Sequence, residues 1–218
     1  AEADWPAVQA HVRSVQDTIR GGTLEQARAG IAAQGVDLHL GEAEFASLHE
    51  VRVNGETLRS ARIVIATGTT ALIPDIEGLA ETGYITNVEA VALPELPKRL
   101  VVIGAGPIGL EFAQMFSRFG AKVVVLDRGP HPLPREDNAL ALALCAQLAS
   151  EGIRIELGAE MRCGEADARG KRIHIHARDG REEDLVADQL LVAVGRKRAL
   201  GELRLDGGRA HRNERLAR

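Results

Sequence analysis

Residues 100–127, reading LVVIGAGPIGLEFAQMFSRFGAKVVVLD, restrict the fold of this chain more tightly than any other stretch. Leu100 to Ile103 is a short apolar run suited to a buried parallel strand, and Gly104, Gly106 and Gly109 follow it in GxGxxG spacing. In such a turn the first glycine permits the tight bend, the second lets backbone approach a pyrophosphate, and the third lets helix and strand pack closely. A helix predicted from Pro107 to about Phe119 opens on a proline, which suits the first turn, and its N-terminus directs free N–H groups at an anion. Ala105 and Ile108 complete the expected binding turn. The strand Lys122 to Leu126 then delivers Asp127, 23 residues after Gly104 and near the offset of about 20 for a ribose-binding acid. A carboxylate there accepts ribose hydroxyls and repels a 2′-phosphate, which favours NAD, while the adjacent Arg128 keeps NADP possible. The alternative is a glycine-rich turn that binds nothing; the two strands, helix and acid together speak against it.

Composition narrows the function classes. The 218 residues are 45% hydrophobic and 27% charged, with a net charge of −4 and a pI near 6.0. This is a globular profile without the basic surface that nucleic acid or an anionic membrane would require. No run approaches the roughly 18 apolar residues of a membrane span, and the N-terminus lacks a signal layout, so the cytoplasm is the expected location. Cys145 and Cys163, 18 residues apart, suit neither a disulfide framework nor a CxxC pair. His174 and His176 share a strand face without a third candidate ligand nearby, so no metal site is expected.

Further along the chain, Asp4 to Arg20 reads as an amphipathic helix with Val8, Val12, Val15 and Ile19 on one face, and Thr23 to Gln34 as a second helix. The alternation of Val36, Leu38 and Leu40 predicts a strand. Val51 and Val53 predict another before the hairpin signal Asn54-Gly55, and Arg62 to Ala66 a buried one. A breaker-rich connection leads to the glycine unit. Beyond it come a helix capped by Asp137 or Asn138 with Leu140, Leu144 and Leu148, a third parallel strand at Ile153 to Leu157, an antiparallel meander over residues 158–185, and a buried strand from Leu190 to Val194. The run from Arg209 to Arg218, with His211 and Glu214, reads as a polar tail.

The phrases IVIATGTTALIPDIEGL (63–79), ITNVEA (85–90), the glycine unit, LPRED (133–137) and LLVAVGRKR (190–198), in this order and spacing, resemble the class I pyridine nucleotide–disulfide oxidoreductases. This is the flavoenzyme family of dihydrolipoamide dehydrogenase, glutathione reductase and mercuric reductase, and the likeness runs from about Asp4 to Leu205. It implies an α/β fold: a partial FAD-binding Rossmann-like domain with a connection over residues 1–96, a Rossmann-like NAD(P)-binding domain with an antiparallel meander over 97–200, and a return segment over 201–218. It further implies Ala66, Thr67 and Gly68 at the flavin, Ala43 near its adenine side, Glu111 and Gly195 towards the nicotinamide, and Met161 in the adenine pocket. The family's own flavin GxGxxG and its Cys-x-x-x-x-Cys pair are not found in these 218 residues, and no stretch resembles the interface domain that bears the family's His-x-x-x-x-Glu pair. The resemblance therefore implies a central fragment of a homodimeric enzyme that passes a hydride from NAD(P)H to FAD, with no catalytic residue of its own. The alternative is an NAD-binding module without turnover.

Overall fold

A computed structural model describes residues 4–205; the polar tail predicted around His211 and Glu214 lies outside them. Along the chain run α1 (Trp5–Ile19), α2 (Leu24–Ala32), β1 (Ala43–Ser47), β2 (Glu50–Val53), β3 (Glu56–Arg59), β4 (Thr69–Ala71), α3 (Leu79–Thr82) and α4 (Asn87–Ala90). There follow β5 (Arg99–Ile103), α5 (Pro107–Arg118), β6 (Lys122–Asp127), α6 (Asn138–Ser150), β7 (Arg154–Leu157), β8 (Glu160–Asp167), β9 (Gly170–His176), β10 (Glu182–Ala187), β11 (Gln189–Val192) and β12 (Arg196–Arg198). The described residues cluster into two compact units, one of 4–14 with 71–196 and one of 15–70 with 197–205.

The first unit is built on a parallel sheet in the order β11-β5-β6-β7. Its strands are continuous apolar runs because both faces are covered. Leu100, Val102, Val123, Val125 and Leu191 join the core with α5, α6 and Trp5, whereas Val101, Ile103, Leu126, Leu190 and Val192 join Ile173, Ile175, Leu185 and Ala187 of the meander β8-β9-β10. This is a Rossmann-like α/β arrangement with an antiparallel sheet on one face. At the β11 edge, Ile85 of the ITN phrase forms a parallel bridge to Leu191. Trp5 is buried, its Nε1 donates to the Leu93 carbonyl at 2.9 Å, and its ring meets Phe119 edge-on at 5.4 Å.

Two ionic clamps tie the strands. Arg154 of β7 donates both Nη atoms to Glu183 of β10, at 2.8 and 2.6 Å, and Arg181 joins through Glu156 at 2.8 Å. Arg99 grips Asp188 with its backbone N–H at 2.8 Å and its Nε at 3.1 Å, and the Asp188 N–H answers to the Arg99 carbonyl at 2.9 Å. The guanidinium of Arg99 holds the Asp188 carboxyl below the ordinary aspartate range. A carboxylate depressed in this way contributes stability that is complete above its unfolded pKa, near 4, and is lost as the pH falls through its lower folded value. Asp188→Asn is therefore expected to lose less stability than the parent between about pH 5 and about pH 2. Urea unfolding at both pH values, followed by Trp5 fluorescence, checks this; equal losses would mean that the clamp carries no pH-dependent stability.

In the second unit, Asn54 (φ 50°) and Gly55 (φ 84°) form the two-residue turn joining β2 to β3. β1 pairs with β2 on the other side, Ala43 facing Val53. Two expected strands are absent here. Residues 36–40 and 62–66 carry no strand structure, and Val64 is 88% exposed, because no strand among the described residues pairs with either run. An apolar run becomes a buried strand only where neighbours take up its N–H and C=O groups.

Two helix faces also differ from expectation. α1 buries Trp5 and Gln9, while Val15 and Ile19 are exposed. α6, with its N-cap set by Asp137, turns the small Ala141 together with Leu148 inward and leaves Leu140 and Leu144 outside. A helix apolar all round gives no periodic signal to choose its face. No helix of the described residues is long and apolar enough to cross a membrane.

Candidate functional site

The three glycines of the turn meet different surroundings. Gly104 has φ 117°, and a β carbon there would stand 2.6 Å from the Ala193 carbonyl oxygen. A β carbon on Gly109 would stand 2.0 Å from the Gly104 carbonyl oxygen, so helix α5 lies directly against the turn. Gly106 caps α5 with ordinary extended angles, φ −83° and ψ 178°, and a β carbon there would have no neighbour within 4 Å. No side chain caps this helix end. Its first-turn N–H groups and the positive end of its dipole are left for an outside partner.

Asp127 ends β6 against the same turn. Its Oδ2 accepts the Ala105 N–H at 2.7 Å and its Oδ1 accepts the Gly129 N–H at 2.7 Å. Each oxygen keeps a second lone pair for a hydroxyl donor. Beside it opens a cleft of about 780 Å³, within the size range of small-molecule sites. Of the residues expected from sequence, Gly104, Gly106, Pro107, Ile108, Asp127, Arg128, Met161 and Gly195 line it together. Ala105 and Gly109 are buried beneath the turn, and Glu111 lies exposed on α5, outside the cleft lining. Ala43, Ala66, Thr67 and Gly68 belong to the second unit, the first on β1 and the others in an exposed segment without strand structure.

Sequence reasoning missed the remaining wall. Leu133, Pro134, Arg135 and Glu136 line the cleft from the LPRED phrase, Pro74 and Ile76 from the connection, and Val194 and Arg196 from beyond β11. The LPRED spacing was available as a signal, but a loop's direction is not written in its composition. Arg196 donates to Asn87 Oδ1 at 3.1 Å, which gives the ITN asparagine a role at the rim. Arg128, Arg135 and Arg196 outnumber Asp127 and Glu136, a balance suited to a polyanion.

Cysteine chemistry lies elsewhere. Burial pushes the thiols of Cys163 and Cys145 up, although the nearby Lys171 ammonium partly opposes this at Cys163. Both are free thiols. Among the described residues no group of three or more His, Cys, Asp or Glu could hold a metal, and His174 instead bonds to Asp184 on the neighbouring strand.

Comparison with known proteins agrees with this architecture. The profile of the pyridine nucleotide-disulphide oxidoreductase family matches residues 6–214. The mercuric reductase of Bacillus cereus is 36% identical over 163 residues, covering 75% of this chain and 26% of that protein. The dihydrolipoyl dehydrogenase of Acholeplasma laidlawii is 32% identical over 205 residues, covering 87% of this chain and 58% of that protein. Among solved structures, the HOCl-induced flavoprotein disulfide reductase RclA from Escherichia coli superposes with a TM-score of 0.75 at 30% identity, over 93% of this chain and 47% of that one. The chain thus spans roughly a quarter to three-fifths of the length of these relatives.

Proposed function

The chain belongs to the pyridine nucleotide-disulphide oxidoreductase family, and from that premise we propose that its first unit binds a nicotinamide dinucleotide for hydride transfer. The carrying observation is the contrast within the turn: Gly104 and Gly109 are filled against by the protein itself, whereas the space over Gly106 is open and faces an uncapped helix N-terminus. A pyrophosphate fits there, since backbone N–H groups and a helix dipole meet it with no side chain between. Asp127 takes the adenosine ribose hydroxyls, Arg128 stands beside it, Met161 lines the adenine side, and Gly195 leaves room at the nicotinamide end. The bound reduced nicotinamide supplies the hydride; the chain's own residues bind and orient it.

In a full-length enzyme, which we place in the cytoplasm as a homodimer, a bound FAD would accept that hydride and pass the two electrons on to a disulfide, metal ion or other acceptor. Within the second unit the residues expected at the flavin do not form a cradle: Ala43 is held in a hairpin sheet, and Ala66 to Gly68 lie exposed. No flavin-dependent step is derived from them. The alternative reading is a dinucleotide-binding module without turnover, against which the exposed apolar runs of the second unit count.

Cofactor choice tests the assignment. A 2′-phosphate beside the Asp127 carboxylate should cost on the order of 1–3 kcal/mol, or about tenfold per 1.4 kcal/mol, so NADH is expected to bind at least about fivefold tighter than NADPH. Asp127→Ala should narrow the gap and weaken NADH binding, because the Ala105 and Gly129 N–H groups lose their acceptor. Calorimetric titration of both proteins with both nucleotides decides; a parent that prefers NADPH would show the arginines ruling the site.

A further inference from the structure

Residues 128–136, which bring Arg128 and residues 133–136 to the cleft, are held by hydrogen bonds near both ends. Near the start, Gly129 donates to Asp127 and its carbonyl accepts the Gly158 N–H at 2.8 Å. Near the end, the Leu133 N–H donates to the Ala105 carbonyl at 3.0 Å. The Ala105 residue is therefore bonded on both sides, its N–H to Asp127 and its carbonyl to Leu133.

Leu133 is unusual in its backbone. It sits at φ 46°, a left-handed conformation that a bulky side chain adopts only when its surroundings over-determine it. Glycine would take that backbone without strain. The leucine side chain is 8% exposed and joins the core that holds Ala105, Ala141 and Leu148. The Leu133 carbonyl then accepts the Glu136 N–H at 2.9 Å, closing the turn that carries Arg135 to the cleft and delivers Asp137 as the cap of α6.

We infer that Leu133 is a positioning residue for the dinucleotide: its buried side chain docks residues 128–136 on the Ala105 carbonyl, so that the wall meeting the adenosine half is formed before the ligand arrives. The inference rests on the function proposed above. Its physical content is preorganisation, because a wall already ordered leaves less freedom to lose on binding.

Three proteins test it: the parent, Leu133→Gly, which keeps the backbone geometry but loses the anchor, and Leu133→Met, which keeps an apolar anchor. Titration calorimetry with ADP-ribose and with NADH should show Leu133→Gly weakened about tenfold towards both ligands at unchanged 1:1 stoichiometry, and Leu133→Met within about twofold of the parent. Parental affinity in Leu133→Gly would overturn the inference. So would parental affinity at reduced stoichiometry, the mark of a residue that only helps the unit fold. Hydrogen exchange without ligand supplies an independent arm: the Leu133 amide should be protected in the parent, with exchange rising over residues 128–136 and not over β5 or β6 in Leu133→Gly. A segment already exchanging freely in the parent overturns the inference on its own, whereas a parent with a protected segment that binds neither ligand overturns the dinucleotide reading instead.

Discussion

Gly109→Ala is expected to destabilise the first unit by on the order of 3 kcal/mol. The added methyl would lie 2.0 Å from a backbone carbonyl oxygen, a contact that no side-chain rotation can relieve. Helix α5 must then move off the turn, and with it Leu110, Ala113 and Phe116, which are all buried on the same side. Alanine's better helix propensity returns only about 1 kcal/mol, so the clash prevails. Urea unfolding followed by fluorescence reads this directly, since Trp5 is the single tryptophan and is packed against Phe116 and Phe119. An unchanged midpoint would show that helix and turn are not in the close contact described.

Gly106→Val should do the reverse. Its backbone angles suit any residue and a β carbon there meets nothing, so stability is expected to change by less than about 1 kcal/mol, mainly from a poorer helix cap. The branched side chain would occupy the space assigned to the pyrophosphate and screen the α5 N-terminus. NADH affinity should fall at least about 100-fold, equivalent to roughly 2.7 kcal/mol. Two glycines three residues apart would thereby separate, one serving the fold and the other the ligand. Calorimetry on the folded variant checks this, and parental affinity would place the pyrophosphate elsewhere.

The first unit is legible in the sequence because each of its signals is local and agrees with the packing. Apolar runs at β5, β6 and β11 are buried on both faces, Pro107 and Gly120 bracket α5, and Asp127 falls at the end of its strand beside the turn it serves. In β9 and just beyond it Ile173, Ile175 and Ala177 alternate with Arg172, His174 and His176, and the structure buries the three apolar residues. The second unit is less legible for a physical reason. Residues 36–40 and 62–66 have the composition of strands, but strand formation depends on a neighbouring strand, and none among the described residues pairs with them. The far wall of the cleft was hidden because its shape depends on Leu133 adopting a left-handed backbone, which no leucine announces.

Amide shifts of the labelled protein during NADH titration measure the central claim most directly, since they locate the ligand residue by residue. Saturable 1:1 shifts are expected at Gly104, Gly106, Ile108, Arg128 and Gly195, which share the cleft, with the hairpin of β2 and β3 unmoved. Shifts confined to the hairpin, or none at a saturating NADH concentration, would contradict a dinucleotide site at this glycine turn.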